Sequence, residues 1–141
     1  MISVAFRLID GLGGPAMGAR AFVAADCEVD WHDKTTSRLV ALIDTGAGRS
    51  WIDADSAPSC PPNEFDIPAR SAFGGATTHV GYSGNVILGN GVLAIKTNLI
   101  AGPLSKKHMG IAMLIGLDIL CHGRLDIDYP GRRVTFSVPH G

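Results

Sequence analysis

The sequence predicts a small all-β protein that contains one short helix. Apolar and polar residues alternate in several segments, which is the two-residue period of strands that bury one face. The 18 glycines among 141 residues suit the tight turns that join such strands. Only LIGLDILCHG, at 114–123, reads as helical, and it is long enough for roughly two turns. We expect one domain over residues 1–141, because this length suits a single hydrophobic core.

The first half of the chain reads as three strands followed by irregular chain. ISVAFRLI, at 2–9, alternates and is short enough to form a sheet edge. Residues 19–31 and 37–43 then predict a hairpin around the polar turn HDKTTS. Residues 53–68 are rich in proline, serine and aspartate, which predicts irregular surface chain.

The second half reads as three hairpins interrupted by the helix. Residues 69–84 are expected to turn at a Gly-Gly pair, residues 85–102 at Gly-Asn-Gly, and residues 123–138 at Pro-Gly. Before the last hairpin, Asp118 falls in the first turn of the helix, where the helix dipole favours an anion. We therefore interpret Asp118 as a dipole partner or a cap.

Composition and charge argue against several classes of function. The net charge is -1 and lysine and arginine do not cluster, so we expect no nucleic-acid partner. Three cysteines without a CxxC pair and five scattered histidines predict neither a disulfide framework nor a metal or cofactor site. Charged residues interrupt the apolar stretches that an export signal or a membrane span needs. We expect a cytoplasmic protein with no membrane partner.

A carboxylate ends the apolar strand in ALIDTGAGRSWID, at 41–53. Two apolar residues place Asp44 at the end of a buried strand, where a charge is costly unless it is partnered or used. Thr45 is small, and Gly46 lets a second backbone or a substrate approach the carboxylate. Asp-Thr-Gly alone also suits an ordinary turn, so these residues by themselves leave a catalytic and a structural role open.

Three motifs, taken in order, resemble the retropepsin-type aspartic proteases, the single-domain family of retroviral proteases and their bacterial relatives. LIDTGA, at 42–47, is similar to the catalytic loop of this family. SAFGGATTHVGYSG, at 71–84, resembles its glycine-tipped flap hairpin, and MLIGLDIL, at 113–120, resembles the apolar pair, glycine and short helix beneath the catalytic loop. Asp44 and Gly116 are 72 positions apart, a spacing that also agrees with the family.

The resemblance implies a closed β-barrel with a glycine-tipped flap hairpin and one short helix. It also implies an aspartic endopeptidase that acts on peptides or proteins. The implied site residues are the catalytic Asp44, the supporting loop residues Thr45, Gly46 and Ala47, the flap and substrate-binding residues Phe73, Gly74, Gly75 and Ala76, and the floor residues Ile115 and Gly116. Apolar walls of a substrate pocket are expected from Leu42, Phe73, Val80 and Ile115.

The chemistry of such proteases needs two carboxylates that share one proton. The sequence holds no second Asp-Thr-Gly and no Asp-Ser-Gly, so we expect a homodimer in which each subunit supplies Asp44. Ala47 cannot donate a hydroxyl hydrogen bond that would lower the pKa of the carboxylate. We therefore expect the pH optimum nearer mild acidity than strong acidity.

Two other functions stay open on the sequence. The chain can be a retropepsin-like dimerisation or peptide-binding module without turnover, or a monomeric β-barrel binding domain in which Asp-Thr-Gly arose by chance. Sedimentation separates the monomer from the two dimers. Peptide cleavage that is blocked by Asp44→Asn separates the enzyme from the non-catalytic module.

Overall fold

The computed structural model describes residues 1–16, 21–70, 75–104 and 109–139. Within these ranges it contains ten strands, one α-helix and one turn of 3-10 helix. The strands are β1 (Ile2–Ile9), β2 (Phe22–Trp31), β3 (Thr36–Ile43), β4 (Trp51–Asp53), β5 (Glu64–Arg70), β6 (Ala76–Leu88), β7 (Leu93–Gly102), β8 (Met113–Ile115), β9 (Arg124–Asp128) and β10 (Arg133–Val138). The α-helix α1 spans Leu117–Leu120, and the 3-10 helix spans Ala54–Ser56.

Six of these strands close into a barrel, and the protein is mostly β as predicted. Around the ring they follow one another as β2, β3, β8, β4, β7 and β6, and β6 pairs again with β2. One edge of β2 bonds β3. Its other edge is shared between β6, at residues 27–31, and β1, at residues 22–24. This shared edge joins the barrel to the rest of the sheet.

The chain passes over the end of β8 between β3 and β4. β3 pairs with β8 in parallel, with Ile43 opposite Ile115. β4 pairs with the other edge of β8 in the antiparallel sense, with Trp51 opposite Leu114. Residues 44–50 therefore arch across the C-terminal end of β8, and this arch is the loop that carries Asp44.

The expectation that residues 2–9 form a sheet edge is wrong. Residues 2–6 of β1 pair with β10 and residues 7–9 pair with β2, so β1 connects the barrel to the closing hairpin of β9 and β10. β1 has eight residues, so its first part can pair with β10 and its last part with β2. Among the described strands, β9 and β5 stand at the two ends of the sheet.

The main core fills the barrel and continues beneath β1 and β10. Its fully buried members include Ile52, Leu88, Leu99, Met113 and Phe136. Burial of each such side chain contributes about 1.5–3 kcal/mol relative to exposure. A second cluster covers the other face of β2 and β3 and contains Ile9, Ala24, Leu42, Met109 and Ile111.

The prediction of irregular chain over 53–68 is partly wrong. The 3-10 helix occupies 54–56, and β5 begins at Glu64 and includes Pro68. A proline is compatible with β5 because this strand ends the sheet, where one row of backbone N–H groups has no ladder to join. The ladder is interrupted between Glu64 and Ile67, where Asp66 adopts a φ of 54°. This bulge separates the first residue of β5 from the remainder of the hairpin.

Phe136→Ala is expected to destabilise the protein by about 3–5 kcal/mol, because it empties a site in the shared core. Phe136 is fully buried and stacks on Phe6 with a centroid separation of 5.9 Å. Urea denaturation measures the change in the free energy of unfolding. The control Ile127→Ala, at a side chain that is 38% exposed, should cost less than about 1 kcal/mol. Equal costs for the two variants would contradict the assignment of β10 to the core.

Candidate active site

The backbone of Asp44 is fixed by the barrel wall. Asp44 follows β3, and its N–H donates to the carbonyl of Ile115 at 2.9 Å, which extends the parallel ladder by one bond. The residue is half-buried, whereas Thr45 and Gly46 beside it are exposed. The structure thus places the Asp-Thr-Gly tripeptide at the end of a barrel strand, with Thr45 and Gly46 exposed to solvent.

The carboxylate of Asp44 also organises its own turn. Its Oδ1 accepts a hydrogen bond of 2.9 Å from the N–H of Gly46, and the carbonyl of Asp44 accepts one of 3.2 Å from the N–H of Ala47. A Cβ on Gly46 would lie 3.3 Å from Oδ1, so the glycine allows the close approach of its N–H to the carboxylate. This is the side-chain-to-backbone bonding of an Asx turn.

Ile115 and Gly116 lie directly beneath the loop. Ile115 is fully buried, and a Cβ on Gly116 would come within 2.6 Å of the carbonyl oxygen of Arg49 and 2.7 Å of that of Ala47. No other residue type fits at Gly116 without displacing the loop backbone. The N–H groups of Leu117 and Asp118 donate to the carbonyls of Ala47 and Gly48. The start of α1 is therefore bonded to the loop.

Two of the expected pocket walls are core residues in the single chain. Ile115 belongs to the barrel core, and Leu42 is buried in the second cluster with Met109 and Ile111. Val80 is half-buried at the point where β6 begins to pair with β7. The sequence marks these positions as apolar but does not distinguish a core position from a position in a cleft.

Asp118 does more than the helix-dipole partner or cap predicted from the sequence. The helix has no side-chain cap. The Asp118 carboxylate instead accepts hydrogen bonds from the Ser50 N–H at 3.0 Å, the Ser50 hydroxyl at 2.6 Å and the Thr97 hydroxyl at 3.0 Å. The Ser50 oxygen in turn accepts from the Gly116 N–H at 3.0 Å. These bonds tie the far end of the loop to α1 and β7.

Arg49 and Glu64 form an ion pair next to the loop. The guanidinium donates from Nη1 and Nη2 to the two carboxylate oxygens, at 3.2 and 2.8 Å, and the Asn98 amide donates to the same carboxylate at 3.3 Å. Both charged side chains are about two-thirds buried. The hydrogen bonds from Arg49 hold the pKa of Glu64 below its ordinary value, and the bond to Glu64 raises the pKa of Arg49.

The described part of the predicted flap segment, 75–84, lies mostly on β6, which forms a hairpin with β5. The two strands pair from Ile67 opposite His79 to Arg70 opposite Ala76. Of the predicted flap residues, Phe73 and Gly74 lie outside the described residues, whereas Gly75 and Ala76 are exposed at the start of β6. β6 pairs with β7 only from Val80 onwards, so the outer part of the hairpin extends beyond the barrel wall.

Cys27 and Cys60 do not provide an activated thiol. Burial, and secondarily the Asp26 carboxylate, raises the pKa of Cys27 to about 12, so this thiol stays protonated. Cys60 lies 3.1 Å from Nε2 of His32. Partial desolvation and the nearby Asp33 carboxylate raise the pKa of Cys60, which opposes formation of a thiolate.

Metal ligands and membrane-spanning helices are not found in the described part of the chain. No group of three or more His, Cys, Asp or Glu side chains comes together there in a way that could hold a metal ion. No helix in these ranges combines the length and apolar character required to cross a membrane. Comparison of the sequence with protein-family models and with curated proteins gives no match.

Asp118→Ala is expected to lower the free energy of unfolding by about 2–4 kcal/mol, because the buried Ser50 N–H and hydroxyl lose their acceptor. Urea denaturation checks this value. Asp126→Ala, which removes a carboxylate paired with Arg124 on the exposed strand β9, is the control and should cost less than about 1 kcal/mol. A loss at Asp118 no larger than the control would contradict the network described above.

Glu64→Gln is expected to be destabilising at pH 7 and to lose this effect in acid. Because the folded-state pKa of Glu64 is lowered, its contribution is complete above the ordinary value of 4.5 and disappears as the pH falls through the lowered pKa. The difference in free energy of unfolding between the wild type and Glu64→Gln should therefore shrink below about pH 4.5. A difference that stays constant with pH would show that the ion pair is not its origin.

Proposed function

We propose that the chain is one subunit of a homodimeric aspartic endopeptidase. The observation that carries the proposal is the placement of Asp44 in a loop that is bonded to the barrel wall below and open above, next to exposed Thr45 and Gly46. The resemblance of LIDTGA and MLIGLDIL to the retropepsin-type family supports it. The two motifs are in contact, because Gly116 lies directly beneath the loop that begins at Asp44.

The reaction needs one ionised and one protonated carboxylate. The ionised Asp44 takes a proton from a water as the water oxygen adds to the scissile carbonyl carbon, while the protonated Asp44 gives its proton to the carbonyl oxygen. The tetrahedral intermediate then collapses: the ionised carboxylate takes a hydroxyl proton from the intermediate as the C=O bond re-forms, the C–N bond breaks, and the leaving nitrogen receives the proton of the other carboxyl group. The dyad is left with a single shared proton, ready for another cycle.

The second carboxylate is proposed to come from another copy of the chain. Asp118, the carboxylate beneath the loop, has both oxygens bonded to Ser50 and Thr97. Asp10 accepts from backbone N–H groups of its own turn, and Asp128 accepts from the N–H of Gly131. None of these residues stands in a second Asp-Thr-Gly or Asp-Ser-Gly loop, so a two-fold axis that brings two Asp44 loops together is the direct route to a dyad.

The other predicted residues take supporting roles in the proposal. Thr45, exposed beside Asp44, would bond across the axis to the partner loop, and Gly46 would leave room for the second backbone. Ala47 adds no hydroxyl, which favours mild rather than strong acidity. The β5–β6 hairpin would cover an extended peptide bound by backbone hydrogen bonds.

The proposal includes no metal, cofactor, nucleic acid or membrane partner. A net charge of -1 without a basic cluster supports the absence of nucleic-acid binding. The three cysteines are free thiols, which suits the reducing environment of the cytoplasm. The site would act with water as its only co-reactant.

A second candidate is a retropepsin-like dimerisation or peptide-binding module without turnover. The hydrogen bond from the Gly46 N–H to the Asp44 carboxylate favours it, because this bond alone gives Asp44 a structural use. An asparagine can make the same bond through its amide oxygen. Asp44→Asn therefore preserves the turn and removes the acid–base chemistry, which makes it the variant that separates the two functions.

Asp44→Asn is expected to abolish cleavage of a broad peptide library, because neither proton transfer can occur. The cleavage rate should fall by about 10²–10⁴-fold or more. The assay covers about pH 3 to 7, the range in which such a dyad carries one proton. Asp126→Asn, at an exposed carboxylate, is the matched control and should retain activity.

Sedimentation of the same wild-type preparation must show a dimer for the proposal to hold. A dimer that cleaves no peptide across this pH range would favour the non-catalytic module. A chain that stays monomeric at every concentration tested would exclude both, and cleavage that persists in Asp44→Asn would place the chemistry at another residue.

A further inference from the structure

We propose that the Arg49–Glu64 ion pair is a clamp that fixes the base of the β5–β6 hairpin against the Asp44 loop. Arg49 and Glu64 are thus positioning residues for substrate binding. The inference rests on the proposed function only in taking the hairpin as the cover of the substrate site. The clamp itself is a property of the chain that can be measured without any substrate.

The ion pair connects three segments that the sequence keeps apart. Arg49 belongs to the arch that carries Asp44, Glu64 begins β5, and Asn98 lies in β7 of the barrel. Glu64 receives both arms of the Arg49 guanidinium and the Asn98 amide on a single carboxylate. A two-point contact fixes orientation as well as distance, which a single bond to a lysine would not do.

The backbone around Glu64 is arranged to let its side chain reach Arg49. Glu64 pairs with Gly81 across the ladder, and a Cβ on Gly81 would lie 3.3 Å from Oε2 and 3.4 Å from Cβ of Glu64. Because Gly81 has no side chain, the side chain of Glu64 can lie beside it and extend to Arg49. Asn63 supports the same place, because its N–H donates to the Gly81 carbonyl and its Oδ1 accepts from the Ser83 N–H, each at 2.9 Å.

The clamp lies on the barrel side of a natural hinge. The β5–β6 ladder is interrupted between Glu64 and Ile67, and beyond the bulge the described strands pair only with each other. A bulge bends and weakens a ladder locally. The outer hairpin, defined as residues 67–70 and 76–79, can therefore pivot about residues 65–66, and the clamp sets the position from which it pivots.

Several further contacts among the described residues hold the outer hairpin to the barrel, and Ile67 at its base is buried. The His79 ring packs edge-on against Trp51 at 4.9 Å, and its Nδ1 lies 3.1 Å from the Ala101 carbonyl. Breaking the clamp should therefore loosen the outer hairpin without detaching it. The expected effect is a moderate change in hairpin opening and not a loss of the fold.

Hydrogen–deuterium exchange of the full-length protein tests the clamp directly. In Glu64→Gln, the backbone amides of the outer hairpin are expected to exchange about 3- to 10-fold faster, while those of β3 and β8 stay unchanged. Glu28→Gln is the matched control, since it removes an ion pair with Arg38 on adjacent barrel strands, and it should leave the outer hairpin unaffected.

Two further variants separate a clamp from a general loss of stability. Arg49→Lys keeps the charge but loses the two-point geometry and should show part of the acceleration. The double reversal Arg49→Glu with Glu64→Arg should restore slower exchange relative to either single reversal. Acceleration spread equally over hairpin and barrel, or none in Glu64→Gln, would overturn the clamp.

The kinetic consequence is tested where the wild type cleaves a peptide. Glu64→Gln should raise KM about 3- to 10-fold and leave kcat within about twofold, because the clamp affects closure on the substrate and not proton transfer. A fall in kcat at unchanged KM would contradict this role. If the wild type cleaves nothing, the exchange experiment still decides on the clamp, so failure of the proposed function and failure of the clamp are distinguishable.

Discussion

The pairing of β8 with β3 on one edge and β4 on the other is the constraint on which the candidate site depends. The chain must cross from one side of β8 to the other within residues 44–50, so it has to arch over the end of that strand. Gly116 stands directly under the arch, where two loop carbonyls leave no space for a side chain. The shape of the Asp44 loop is thus a product of sheet topology more than of loop sequence.

Hydrogen bonds hold the two ends of this arch, and a partly exposed ion pair extends from it. At its start, a backbone bond joins Asp44 to Ile115, and at its end the buried Ser50 is bonded to Asp118. Between them Arg49 reaches outward to Glu64, with both side chains partly in contact with solvent. The inner bonds resist salt and the outer ion pair is screened by it, so the support of the loop is firm and the attachment of the hairpin is adjustable.

Local pattern was sufficient to predict most strands and turns but not their partners. Alternation located β1, yet nothing local indicated that its two ends would pair with different strands. The proline and serine content suggests irregular chain where β5 begins. Strand propensities of single residues do not show that a strand at the end of a sheet tolerates a proline such as Pro68. The contacts of Asp118 and Arg49 are not predictable from local pattern for a related reason: Ser50 lies 68 residues from Asp118, and Glu64 lies 15 residues from Arg49.

The long-range pairing also has a consequence for the order of folding. The bonded hydroxyls of Ser3 and Ser137, on β1 and β10, are 134 residues apart, and such non-local ladders carry a large loop-closure entropy. Proteins dominated by these contacts fold in about milliseconds to seconds. A nascent chain that has not yet reached β8 lacks the strand over which the Asp44 loop is shaped. The loop therefore acquires its geometry only after β8 has been synthesised, and the other five strands of the barrel all precede β8 in the chain.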